Sequence, residues 1–122
     1  MYTVKQLYDL TKTGAGEYLA TFEYPWEALK GIGQFVREYA KNLPAGYKEI
    51  APEVWAHESA KIAKTACLNG PCVIGENAEI RHCAFVRGNA FIGNGCVVGN
   101  SVEIKNAILF DGAQVPHFNY VG

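Results

Sequence analysis

Written in sixes, residues 56–115 read AHESAK, IAKTAC, LNGPCV, IGENAE, IRHCAF, VRGNAF, IGNGCV, VGNSVE, IKNAIL and FDGAQV. The first position is Ala56, Ile62, Leu68, Ile74, Ile80, Val86, Ile92, Val98, Ile104 and Phe110, and the fifth is small in most hexads. A six-residue period with an apolar first position is the signature of a parallel β-helix. Each hexad supplies one short strand, and about three hexads close a triangular coil that stacks on the next at about 4.8 Å. The expectation is a mainly β fold, a parallel β-helix of about 3–4 coils over residues 49–122, behind a helical extension over residues 1–48.

The extension carries helix signals. Thr3 and Gln6 stand at capping-box spacing. Pro25 occupies an N1 position, and Trp26, Leu29, Ile32, Val36, Tyr39 and Leu43 follow at helical spacing. "KTGAG" and "NLPAG" break the pattern. This stripe reads as a docking surface.

Strand alternation sets directions in the repeat. The first residue of a hexad and the fifth of the one before point inward, and their neighbours point outward. About one coil of spacing then stacks outward residues into columns. One column is Trp55, Val73, Phe91 and Leu109, four large apolar side chains. It predicts a homo-oligomer contact, a trimer for a three-sided prism; the alternative is a face covered by the N-terminal helix. A second face carries Cys67, Asn69, Phe85, Arg87, Glu103 and Lys105. Stacked Arg87 and Lys105 repel by roughly 3 kcal/mol at an effective dielectric near 20. Glu103 relieves part of that, and a phosphate would relieve more. The alternative is a solvated charge cluster. A third face carries Arg81, Val97, Val115 and His117, with Pro116 at an inward position that interrupts the coil. A neutral His117 near phosphate-binding cations suits a general base, or is a plain surface residue.

Lys plus Arg total 11 and Asp plus Glu 12, a net charge of −1. This argues against a nucleic-acid surface and a polybasic membrane anchor. No apolar run reaches the roughly 18 residues of a membrane span, and the N-terminus lacks signal-peptide form, so a cytoplasmic location is expected. The four cysteines form no CxxC pair. They read as small buried hydrophobes, and no metal site is expected.

The stretch from Arg87 to Gly122 resembles the acetyltransferase domain of the bifunctional N-acetylglucosamine-1-phosphate uridyltransferase/glucosamine-1-phosphate acetyltransferase. It is also similar to the β-helices of related sugar-1-phosphate nucleotidylyltransferases. The resemblance rests on an arginine (Arg87), a lysine in a "VE-x-K" strand (Glu103, Lys105) and the closing "HFNYVG" (His117, Asn119, Tyr120). It implies a left-handed β-helix that assembles as a trimer. It implies that Arg87, Lys105 and Tyr120, with Glu103 and Asn119, bind a sugar 1-phosphate. His117 would then take a proton from the sugar amine as it attacks acetyl-CoA.

The likeness covers roughly residues 50–122, with no nucleotidyltransferase domain. The family continues for several coils beyond "HFNYVG" and builds most of its acetyl-CoA site there. The expectation is therefore an incomplete domain, inactive alone. The alternatives are a non-catalytic trimerisation or sugar-phosphate-binding module, and a zinc enzyme of the β-helical carbonic anhydrase kind. The absence of a His-x4-His pair counts against the last.

Overall fold

The computed structural model of the chain describes all 122 residues. They form a parallel β-solenoid of about four turns behind a short helical part. Three sheets make its three sides. The first holds β1 (Tyr47–Ala51), β2 (Val54–His57), β5 (Cys72–Ile74), β8 (Ala90–Ile92) and β11 (Ala107–Leu109) in that order. The second stacks β3 (Lys61–Ile62), β6 (Glu79–Ile80), β9 (Val97–Val98) and β12 (Gln114–Val115). The third stacks β4 (Cys67–Leu68), β7 (Phe85–Val86), β10 (Glu103–Ile104) and β13 (Tyr120–Val121). All pairs are parallel except β1 with β2, a hairpin laid on the first sheet.

The aliphatic first positions fill the prism. Ile74, Ile80, Val86, Ile92, Val98 and Ile104 are all but fully buried. Each such side chain contributes roughly 1.5–3 kcal/mol by leaving water. Small fifth positions (Ala78, Ala84, Ala90, Cys96) let the chain turn close to this core. The corner falls one residue before them, at Asn77, Cys83, Asn89, Gly95 and Ser101, all with positive φ. Asn and Gly tolerate that conformation most readily, which accounts for their frequency there.

The corner then moves. After Ser101 the next positive-φ residues are Asn106, Gly112 and Phe118, so one step is five residues instead of six. Ladder partners record the same loss: Ile74 pairs with Ile92, but Ile92 pairs with Leu109 and Val98 with Val115. Three expectations fall with it. Leu109 points into the core, and Ile108 takes the outward place above Phe91. Val115 is buried, while Pro116 is exposed in the following turn and interrupts no core position. Phe110 packs outside, against Tyr8, with ring centroids 5.3 Å apart.

The helical part comprises α1 (Val4–Leu7), α2 (Gly16–Leu19) and α3 (Ile32–Ala40), with 3₁₀ turns at Leu10–Lys12 and Pro25–Gly31. Thr3 and Gln6 make the capping box, and Pro25 stands at the start of its turn. Of the apolar stripe, Ile32 and Val36 are buried, whereas Trp26 and Leu29 stay half exposed. The helices lie on the first sheet and bury Val73 and Phe91, with Trp55 and Ile108 packed at the margin. The apolar column is thus covered by the chain itself. Arg37 ties α3 to the hairpin through Glu53 at 2.6 Å.

Candidate functional site

The third sheet exposes the charged face. Its two-residue strands each turn one aliphatic residue inward, so the flanking residues must face water. Cys67, Phe85, Glu103 and Tyr120 stack as one outward column. Asn69, Arg87 and Lys105 follow one position past the inward residue, with backbone N–H groups donating to Val86, Ile104 and Val121 carbonyls.

Arg87 Nη1 donates to Glu103 Oε2 at 2.8 Å, and both side chains are partly exposed. The hydrogen bond to Glu103, then that carboxylate's charge, holds the guanidinium above its ordinary pKa, with a smaller contribution from Tyr120. The guanidinium carbon lies 5.8 Å from the Phe85 ring centre. A solvent-screened ion pair of this kind is weak, so a stronger anion can displace Glu103. Lys105 is exposed and makes no ion pair within the chain. Tyr120 is also exposed, with its hydroxyl beside Gly122.

His117 and Asn119 lie on the turn between β12 and β13, around the corner from Arg87. Asn119 Nδ2 donates to the carbonyls of Pro116 at 2.9 Å and His117 at 3.3 Å, bracing the turn. The His117 ring makes no hydrogen bond within the chain; it meets Phe118 edge-on, with centroids 5.3 Å apart. It borders a polar cleft of about 220 Å³ with Arg81, Gly99, Asn100 and Gln114. A Cβ on Gly99 would stand 2.7 Å from the Val115 carbonyl oxygen, so only glycine fits there. Arg81 is held by Glu79 at 3.1 Å.

The fold therefore brings Arg87, Glu103 and Tyr120 together with Lys105 beside them, and sets His117 and Asn119 apart. Gln114 reaches the cleft only through the five-residue step, which an unbroken six-residue count does not contain. A glutamine at an expected small fifth position was the available signal.

Residues 68–122 match the GMPPB C-terminal domain. That model describes the β-helical region of a sugar nucleotidyltransferase family, and the match takes in β7, β10 and β13 of the candidate face and Leu68 of β4. No curated protein matches the chain. The similarity supports the coarser resemblance, to β-helices of sugar nucleotidyltransferases. No helix of the chain is long and apolar enough to cross a membrane.

Proposed function

We propose that the chain is a sugar-phosphate-binding β-helical module of the sugar nucleotidyltransferase kind. The phosphate of a sugar 1-phosphate would rest on Arg87, Lys105 and Tyr120. The observation that carries this is Lys105, a cation without an acidic partner, one coil above an Arg87 held only by a partly exposed carboxylate. A phosphate offers oxygens to the guanidinium fork, the ammonium and the phenol together, and charge-assisted bonds are the stronger kind. Glu103, once displaced, is placed to accept from sugar hydroxyls. Calorimetry with glucosamine 1-phosphate and with free glucosamine tests the reading. Heat should come from the phosphorylated sugar alone; equal binding of both would remove the phosphate from the proposal.

A second reading, acetyl transfer, draws support from the unpartnered ring of His117 at the polar cleft. That cleft, about 220 Å³, is below the roughly 300 Å³ at which pockets begin to enclose a drug-sized ligand. Acetyl-CoA is larger still. The cleft beside His117 in one copy is too small to enclose it. What His117 offers is a ring nitrogen to take a proton from a sugar amine. Since His117 and Arg87 are separated by a corner, this reading requires a homotrimer in which one copy's His117 approaches its neighbour's Arg87. Sedimentation decides the first requirement, since a monomer removes this reading. Thiol release from acetyl-CoA with glucosamine 1-phosphate, in wild type and His117→Ala, decides the second. No release, or release untouched by the substitution, would remove it.

A further inference from the structure

A second cluster lies at the corner between β6 and β7, outside the candidate site. Cys83 is exposed there with φ +59. Its Sγ is 3.3 Å from His82 Nε2, and His82 Nδ1 is 2.7 Å from Thr65 Oγ1. The same hydroxyl oxygen accepts the Cys83 backbone N–H at 3.1 Å. Thr65 belongs to the coil below, so the hydroxyl fixes both the imidazole and the backbone that carries the thiol.

The geometry matches what thiol activation requires. A thiolate is the nucleophile, and it forms when a neighbouring base removes the proton and then stabilises the charge. An imidazolium at His82 would have an acceptor for each N–H: the Cys83 sulfur at Nε2 and the Thr65 oxygen at Nδ1. The positive-φ corner turns the sulfur outward, away from Ala84, which is buried. The other cysteines provide the contrast. Cys72 and Cys96 are buried, and Cys67 is exposed but its sulfur has no hydrogen-bond partner.

We propose that Cys83 is a nucleophilic thiol site for low-molecular-weight disulfides, with His82 accepting its proton and Thr65 acting as the positioning residue. The Cys83 S–H proton passes to His82 Nε2 as the sulfur attacks one sulfur of the disulfide. That S–S bond breaks, a new one forms to Cys83, and the departing thiolate takes the proton from His82. The incoming disulfide is the oxidant, so the exchange balances. A mixed disulfide here would place a bulky group on an otherwise regular corner.

The test is the rate of mixed-disulfide formation at each cysteine with oxidised glutathione at neutral pH, read by peptide mass mapping. Cys67 serves as the internal reference, and unmodified Cys72 and Cys96 report an intact fold. Cys83 should react about tenfold faster than Cys67. His82→Gln and Thr65→Val should bring the two to parity, while Thr65→Ser, which keeps the hydroxyl, should preserve the difference. Equal rates in the wild type would overturn the proposal. So would a Cys83 rate unmoved by His82→Gln. Loss of the difference in Thr65→Ser as well as Thr65→Val would overturn the hydroxyl's role.

Discussion

Phe91 meets Tyr39 edge to face, with ring centroids 4.9 Å apart and planes at 89°. The two residues come from the middle of the first sheet and from α3, and Phe35 closes on the same ring at 5.4 Å. This aromatic contact seals the helical part to the solenoid. Phe91→Ala should therefore destabilise the folded chain by about 3–5 kcal/mol, as buried aromatic truncations do. Denaturant unfolding measures it. A change under about 1 kcal/mol would mean that the helices gain little from docking on this sheet.

The five-residue step makes a sharper distinction. Leu109 belongs to the inner core, whereas its neighbour Ile108 belongs to the outer cluster under the helices. Leu109→Asp should abolish cooperative unfolding, because an unpaired carboxylate in the prism has no hydrogen-bond partner. Ile108→Asp should leave a folded but weaker protein. The reverse order would restore the unbroken six-residue register.

The reason this step was hard to read lies in the residues themselves. Ile108, Leu109 and Phe110 form an apolar run, so dropping one residue leaves an aliphatic side chain at the expected inward position. Before Asn106, the alternating pattern assigned every inward residue from Ile62 to Ile104 correctly, because a slip of one would have moved charge into the prism. After it, only Ala113 and Gln114 distinguish the registers: shifted by one, the small alanine returns to the fifth position. The charged face was legible because Cys67, Phe85 and Glu103 stack before the step. Tyr120 joined them through the resemblance, which did not need the count. The separation of His117 from Arg87 by a corner followed from spacing. The column with Val73 and Phe91 reads in the sequence first as a trimer face, whereas the chain's own helices cover it; a stripe on a helix and a stripe on a sheet do not by themselves say whether they meet.

Alkaline pH should weaken the fold through one buried and one half-buried acid. Burial pushes the Cys72 thiol from 9.0 up to about 12 and the Tyr47 phenol from 10.0 up to about 12. Both are held neutral in the folded chain. Their contribution is intact below the unfolded values and is lost as the pH rises from about 9 toward 12, where the unfolded chain has released protons that the folded chain still holds. For Cys72 the loss is on the order of 4 kcal/mol by pH 12. Cys72→Ala should lower stability at pH 7 but flatten its decline above pH 9. An equally steep decline in the variant would point to other groups.

Glu103 competes for Arg87. Glu103→Gln removes the charge that holds the guanidinium and should tighten binding of inorganic phosphate several-fold. Phosphate titration followed by the amide signals of Arg87 and Lys105 measures it. Weaker binding in the variant would mean that the carboxylate organises the site for the anion.

The most direct measurement is a double-mutant cycle on Arg87 and Lys105, with glucosamine 1-phosphate binding read by calorimetry. If one phosphate sits between the stacked cations, Arg87→Ala and Lys105→Ala should each weaken binding by about tenfold or more. The two losses should be non-additive, because each cation helps hold the ligand for the other. The double variant should show no heat of binding. Wild-type affinity in the double variant would contradict the account and leave Arg87, Glu103 and Lys105 as an ordinary charged surface.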